Sequence, residues 1–262
     1  MIRYLETISP ERLEELLSFC SSDAFGVKAI GPVLSYGTGF EFVDAWEQRD
    51  GEGTLTAFVS RFYGSTVVCG SDGCDREELE AFLRAIGAQS LLGPEALLPS
   101  FREQGKTGPV LCLPGGDAWG GPSDDLPGNT ALVFDDRFRD VYDVLAESDA
   151  DRSPDRYDAF LTDLSHRIRH GTAHTVLLWE GEEPAATASI LVELPEAVFC
   201  GAVATRPAFR GKHYASACLR ALRERRPDCP LFLLCREEMQ PFYERFGLSV
   251  TGRYLEIDPG RP

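Results

Sequence analysis

The sequence lacks long hydrophobic runs and an excess of positive charge. No segment of the 262 residues stays apolar over the roughly 18 positions that a membrane-spanning helix requires. Its 26 lysines and arginines are outnumbered by 42 acidic residues, which gives a formal net charge of −16. Nucleic acids and anionic membranes would be repelled by this charge, so we expect neither as a main partner. The N-terminal residues also lack the apolar core of a secretory signal, and we expect a cytoplasmic protein.

Cysteine occurs eight times, but not in a metal-binding pattern. Most of the cysteines lie within apolar runs such as residues 231–235, which is typical of buried, reduced thiols. Cys69 and Cys74 are close in sequence, yet no second pair follows them at the spacing of metal ligands. We therefore expect no metal site.

Proline and glycine are concentrated between Gly93 and Gly128, as in an irregular connection. We predict a domain boundary in this stretch, with domains at residues 1–125 and 126–262. After the boundary, the hydrophobic periodicity predicts the order helix, helix, three strands, helix, strand, helix, strand. The second of these helices is predicted to begin with Ser153 as the N-cap and Pro154 at the first helical position.

The first half of the chain repeats this order more faintly. Ser9 and Pro10 are predicted to begin a helix, and Asp75 begins another in which Glu78 completes a capping box. The aromatic residues Phe40, Phe42 and Trp46 are interpreted as core. We therefore predict two structurally related halves, of which the first is a degenerate copy.

The most informative segment is a predicted strand, residues 197–205, followed by a basic turn and a helix at 216–225. Residues 206–226 carry seven arginines and lysines but one acid, a local balance of 7 − 1 = +6. A helix N-terminus with free N–H groups and flanking cations is suited to binding phosphate. The corresponding helix of the first half begins with Asp75, Glu77 and Glu78, so we expect only the second half to bind an anionic cofactor.

Two motifs in the second half resemble those of the GNAT superfamily, the acyl-CoA-dependent N-acetyltransferases. The signature Arg/Gln-x-x-Gly-x-Gly/Ala of that family is similar to residues 210–215, Arg-Gly-Lys-His-Tyr-Ala. Its aromatic-Tyr-Glu-x-x-Gly segment is similar to residues 242–247, Phe-Tyr-Glu-Arg-Phe-Gly. The resemblance covers residues 130–262. It implies an α/β fold with a mixed, mostly antiparallel sheet flanked by helices.

The resemblance also implies acetyl-CoA as the cofactor. The strand backbone would pair with the pantetheine arm, the turn amides with the Arg210 and Lys212 side chains would hold the pyrophosphate, and Ser216 would add a hydroxyl donor. The implied cofactor-binding residues are Val203, Ala204, Thr205, Arg210, Gly211, Lys212, His213, Tyr214, Ala215 and Ser216. His213 stands where the family usually has glycine, and its Cβ narrows the turn or demands a different φ.

For catalysis, the resemblance makes Tyr243 the general acid that protonates the leaving thiolate. The alternative is that Tyr243 is a core ring flanked by Phe242 and Phe246. The general base is less defined: Glu193 and Glu196 are the nearest candidates, with Glu193 chosen, and Glu237 and Glu238 follow. For each of them the alternative is a solvated surface acid. The backbone at residues 200–203 would hold the thioester oxygen.

The resemblance implies an enzyme that transfers an acetyl or short acyl group from acyl-CoA to a primary amine of a small molecule or a peptide. The first half would shape the acceptor pocket or form a homodimer interface. The alternative is a catalytically inactive acyl-CoA-binding or structural module.

Overall fold

The computed structural model describes residues 1–120, 126–148 and 157–258. The chain forms two compact units, each discontinuous in sequence. The N-terminal unit comprises Met1–Cys112, Phe232–Pro241 and Ser249–Pro262, and the C-terminal unit comprises Leu113–Leu231 and Phe242–Leu248. The predicted boundary between residues 125 and 126 borders the undescribed residues 121–125 and stays a prediction. Two late segments of the sequence thus fold into the N-terminal unit.

The strands among the described residues are β1 (Ile2–Tyr4), β2 (Val43–Arg49), β3 (Leu55–Phe62), β4 (Ser65–Gly70), β5 (Ser90–Pro94), β6 (Lys106–Leu113), β7 (Thr130–Phe134), β8 (His174–Glu180), β9 (Glu183–Glu193), β10 (Val198–Thr205), β11 (Leu231–Leu234) and β12 (Ser249–Ile257). The α-helices are α1 (Pro10–Cys20), α2 (Ala24–Tyr36), α3 (Arg76–Ala85), α4 (Phe138–Ser148), α5 (Tyr157–Arg169), α6 (Tyr214–Arg225) and α7 (Gln240–Glu244). The predicted start of α5 at Ser153 and Pro154 lies outside the described residues. None of the helices in the described ranges has the length and apolar character needed to cross a membrane.

In the N-terminal unit the strand order is β1-β2-β3-β4-β5-β12-β6-β11. β4 and β5 pair in parallel, whereas β12 pairs antiparallel with both β5 and β6. In the C-terminal unit the order is β10-β9-β8-β7, with antiparallel pairing throughout. Both units therefore have the predicted α/β architecture with mostly antiparallel sheets.

Local capping confirms two of the predicted helix starts. Ser9 accepts a hydrogen bond from the backbone N–H of Arg12, and Asp75 accepts one from the N–H of Glu78. The reciprocal half of the predicted capping box is absent among the described contacts, because the N–H of Asp75 donates to Gln48 Oε1 at 2.8 Å. The prediction that Phe40 is core is wrong: its side chain is 52% exposed, whereas Trp46 is buried as predicted.

The hairpin of β9 and β10 positions the candidate site. Gly201 pairs with Ser189 and Ala204 with Thr187, so β10 has one residue more than β9 over this stretch. The extra residue makes a β-bulge, in which Ala202 adopts a left-handed φ of 50°. After Thr205 the chain passes through a 3₁₀ turn, Pro207–Phe209, and enters α6. This is the predicted strand–turn–helix arrangement.

Candidate cofactor-binding site

The turn before α6 contains two residues with left-handed backbones. Gly211 has φ = 81° and His213 has φ = 61°. Glycine adopts this conformation at no steric cost, whereas a residue with a Cβ is destabilised by about 1 kcal/mol. Histidine is enriched among the side chains that tolerate it. His213 therefore adopts a left-handed backbone conformation that glycine more commonly occupies.

The backbone N–H groups from Gly211 to Ser216 donate to no backbone carbonyl within the described part of the chain. The first helical hydrogen bond of α6 runs from the N–H of Ala217 to His213 O at 3.0 Å, and no side chain caps the helix. The unpaired series begins one residue later than the sequence predicts, because the N–H of Arg210 makes a long contact of 3.4 Å with Pro207 O. These donors lie at the positive end of a 12-residue helix, where an anion is stabilised.

The cationic side chains of the turn already have partners. Lys212 Nζ lies 2.7 Å from Glu180 Oε2 at the end of β8, and the hydroxyl of Tyr214 donates to the same oxygen at 2.7 Å. Arg210 Nε donates to Thr205 O at 3.3 Å. The hydrogen bond from Lys212, followed by that from Tyr214, lowers the pKa of Glu180. Burial, together with the hydrogen bond to Glu180, raises the pKa of Tyr214 to about 12. A carboxylate thus lies beside the turn.

Ser216 is fully buried, and its hydroxyl oxygen accepts a hydrogen bond from Trp119 Nε1 at 3.1 Å. The Trp119 ring stacks on Phe246 with centroids 5.1 Å apart. The structure therefore places the Ser216 side chain in the interior, although its backbone N–H belongs to the unpaired series. Trp119 lies in the segment rich in proline and glycine, where composition gave no signal for a packing role.

The three strand residues predicted to bind the cofactor follow the bulge. Ala204 and Thr205 still pair with β9, opposite Thr187 and Ala186, and Val203 lies within the bulge itself. Residues 201–206 are all half-buried, so their backbone is near the surface. Ala215, the last residue of the signature, is half-buried in the first turn of α6. Apart from the buried side chains of Tyr214 and Ser216, the predicted cofactor-binding residues thus lie together at the end of β10, in the turn and at the start of α6.

Tyr243 lies on α7 and is 6% exposed. Its ring packs edge-to-face on Phe242, with centroids 5.0 Å apart and an interplanar angle of 82°. This burial fits the interpretation as a core ring. The role of general acid stays a prediction.

Glu193 lies at the far end of the β9–β10 hairpin, where it pairs with Val198. Along β9, Glu193 is seven residues from Ala186, which pairs with Thr205. This separation is about 23 Å at roughly 3.3 Å per residue. Glu193 forms ion pairs with His174, at 3.2 Å, and with Arg226. Burial raises the pKa of Glu193, but the hydrogen bonds from His174 and Arg226 outweigh it, and the pKa lies below its usual value. The structure does not bring Glu193 to the turn before α6, and its role as the base stays a prediction.

Comparisons with known proteins bear on the family and on the fold. The model of the acetyltransferase (GNAT) family matches residues 138–248. No curated protein matches the sequence. A GCN5-related N-acetyltransferase from Sphaerobacter thermophilus is 17% identical, with a TM-score of 0.60 over 99% of this chain and 96% of its own.

Two further solved structures match the chain along its length. A tandem GNAT protein from the clavulanic acid biosynthesis pathway is 14% identical, with a TM-score of 0.58 and 99% of each chain covered. A Drosophila protein is 15% identical, with a TM-score of 0.65 and 99% of each chain covered. At these identities the matches show a common fold. The C-terminal half therefore matches the GNAT family model over residues 138–248, and the fold of the chain as a whole is similar to that of a tandem GNAT protein.

Proposed function

We propose that the C-terminal unit binds acetyl-CoA, or another short acyl-CoA, and transfers the acyl group to a primary amine. The observation that supports this most directly is the unpaired series of N–H groups from Gly211 to Ser216. The first N–H groups of a helix have no partner within the helix, so side chains, water or a ligand must satisfy them. A diphosphate supplies several oxygen acceptors at once, which suits consecutive donors at a helix N-terminus.

The residues of the turn would bind the cofactor in complementary ways. The left-handed Gly211 carries no Cβ, so the backbone can approach phosphate oxygens closely. Lys212 would exchange its contact with Glu180 for the phosphates, and Arg210 would add a second cation. The backbone of Val203, Ala204 and Thr205 would pair with the pantetheine arm, which the cofactor uses to present its thioester. The proposed cofactor-binding residues all lie between the bulge of β10 and the first turn of α6.

Tyr243 is the proposed general acid. A thiol has a pKa of about 8.5 and a tyrosine hydroxyl about 10, so proton donation to the departing thiolate is feasible. Such assistance is typically worth roughly 10²–10⁴-fold in rate. The proposed acceptor is an amine of a small molecule or a peptide, and the eight buried thiols suit the reducing cytoplasm that we propose as the location.

A glycine pair provides the test of cofactor binding. Gly211 and Gly171 both have a left-handed φ, of 81° and 68°, and an added Cβ would meet no atom within 4 Å at either position. Gly211→Ala and Gly171→Ala should therefore destabilise the protein by similar amounts, about 1 kcal/mol. We expect only Gly211→Ala to weaken acetyl-CoA binding, by roughly tenfold or more, in isothermal titration calorimetry.

Turnover is measured separately, as thiol release from acetyl-CoA over a panel of primary amines. Tyr243→Phe should lower kcat and leave acetyl-CoA affinity nearly unchanged. Equal losses in both would assign Tyr243 to the core. Acetyl-CoA binding without thiol release on any amine would favour the alternative of an inactive binding module, and wild-type protein that does not bind acetyl-CoA would contradict both.

A further inference from the structure

The N-terminal unit has a surface pocket of about 230 Å³ that the acyltransferase proposal does not use. It lies where the loop after α3 passes the ends of β3 and β4. It is lined by Glu41, Asp44, Arg61, Tyr63, Gly64, Thr66, Gly87, Ala88 and Gln89. A volume of this order is that of a small organic molecule.

The floor of the pocket is a row of three polar side chains on neighbouring strands. Asp44 on β2 pairs with Arg61 on β3, which pairs with Thr66 on β4. Directly opposed residues of a sheet project from the same face, so the three side chains are neighbours. Arg61 donates to Asp44 Oδ2 from Nε at 2.9 Å and from Nη2 at 2.7 Å. These two charges therefore compensate each other.

Thr66 is the unusual member of the row. Its residue is 1% exposed, and within the described chain its Oγ1 has no hydrogen-bond partner. Buried hydroxyls in folded proteins are nearly always hydrogen-bonded. A hydroxyl that is buried, unpartnered and part of a pocket wall is a group that a polar ligand atom would satisfy.

Two groups at the rim define the charge of that ligand. Glu41 is exposed and forms no ion pair with any described residue. Tyr63 is 66% exposed, and its ring stacks on Phe42 with centroids 4.8 Å apart and an interplanar angle of 8°. A carboxylate and an exposed aromatic ring that line one pocket both attract an organic cation, the first through Coulomb attraction and the second through the quadrupole of the ring.

We propose that this pocket binds a small organic cation that carries a primary ammonium and a second hydrogen-bonding group. The ammonium contacts the Glu41 carboxylate and the Tyr63 ring, and the second group satisfies Thr66 Oγ1. An anion is disfavoured because the one cation of the pocket, Arg61, is already paired with Asp44 while Glu41 repels negative charge. This proposal does not depend on the acyltransferase function, and its readout is binding rather than turnover.

The experiment titrates the ¹⁵N-labelled full chain at neutral pH with three probes of similar size: 4-aminobutanol, the corresponding neutral diol, and the 4-hydroxybutyrate anion. We expect 4-aminobutanol to shift the amide signals of Gly64, Gly87 and Ala88 saturably. The diol should bind roughly tenfold more weakly, and the anion should cause no saturable shift. Equal binding of the diol, or no saturable shift with the cation, would overturn the proposal.

Thr66→Val removes the hydroxyl with little change of shape, and we expect it to weaken 4-aminobutanol binding roughly fivefold. Ser60→Ala is the matched control, because Ser60 Oγ is also buried and unpartnered among the described residues but lies outside the pocket. It should leave the affinity unchanged. Glu41→Gln alters an exposed side chain and so preserves the fold; it should weaken binding by at least as much as Thr66→Val. The proposal would be refuted if Glu41→Gln left the affinity for 4-aminobutanol unchanged, or if Ser60→Ala lowered that affinity as much as Thr66→Val.

Discussion

Helices α3 and α6 occupy corresponding places in the two units, each after a strand and a short turn, but their N-termini differ. The N-terminus of α3 is satisfied from within the protein: Asp75 caps it, and the N–H of Asp75 itself donates to Gln48. The first turn of α3 also contains Glu77 and Glu78. Any anion brought to this end would have to displace a cap and approach three carboxylates.

The N-terminus of α6 has neither a side-chain cap nor an acid in its first turn. Its turn is left-handed at Gly211 and His213, and the preceding residues include Arg210 and Lys212. The two halves thus share a helix that follows a strand and a turn, but they differ in how its N-terminal N–H groups are satisfied. Under the proposed function, only the uncapped N-terminus binds an anion. In α3 the Asp75 side chain caps the helix N-terminus, whereas in α6 no side chain caps it and the N–H groups of residues 211–216 have no backbone partner among the described residues.

The largest expected effect comes from giving α6 an acid of the kind that α3 has. In His213→Asp, a carboxylate lies next to the unpaired N–H groups and repels the phosphates. We expect acetyl-CoA binding to weaken by roughly 100-fold, about 2.7 kcal/mol, in calorimetric titration. His213→Asn is the control, because asparagine also tolerates a left-handed backbone and is neutral. If His213→Asn weakens acetyl-CoA binding as much as His213→Asp does, the negative charge is not the cause of the loss.

A smaller effect in the opposite direction is expected from Glu180→Gln. The substitution releases Lys212, which now pairs with Glu180, and removes a negative charge from beside the turn. We expect acetyl-CoA to bind roughly three- to tenfold more tightly at low salt, with the gain reduced at high salt by screening. Glu182→Gln, in the same β8–β9 turn but exposed and without a described ion pair, is the control and should change the affinity little. Unchanged binding in Glu180→Gln would mean that Lys212 does not contact the cofactor.

These contrasts also show which features the sequence makes predictable. The β10–turn–α6 arrangement was predictable because its signals are local: a β-rich run, Gly211, clustered cations and a helical period. Helix α2 was missed because ten of its 13 residues are buried, so no polar face reveals the helical period, and Pro32 lies within it. Glu180 was missed because its contact with Lys212 joins residues 32 positions apart, which no local pattern encodes.

The cap of α3 gives a prediction for stability rather than binding. Asp75→Ala removes the side-chain acceptor of the Glu78 N–H, and we expect a loss of about 1 kcal/mol in the free energy of unfolding. Acetyl-CoA affinity should not change, because the open helix end belongs to the other unit. Urea denaturation followed by circular dichroism measures the first quantity and calorimetry the second. Asp75→Asn, which keeps the acceptor, should recover most of the stability.

The smallest expected effect distinguishes the units by their response to pH. In the C-terminal unit, His174 lies between Glu193 and Asp135, with Nδ1 2.8 Å from Asp135 Oδ2. The hydrogen bond to Glu193 has the largest effect on the pKa of His174 and raises it, and the hydrogen bond to Asp135 raises it further. Burial lowers this pKa, but the overall shift is upward. The stabilisation is thus complete below the pKa of an unfolded histidine, about 6.5, and is lost as pH rises through the higher pKa of the folded state.

His174→Gln should abolish this dependence, so the stability of the wild type relative to the variant should fall as pH is raised from about 6 to 8, by a few tenths to 1 kcal/mol. Thermal unfolding across that range measures it, with Asp75→Asn as the reference for the N-terminal unit. A wild-type advantage that instead grows with pH would mean that the folded protein holds His174 neutral. In that case Glu193 would lose one of its two cationic partners, and its carboxylate would be a better proton acceptor than the ion pairs now allow.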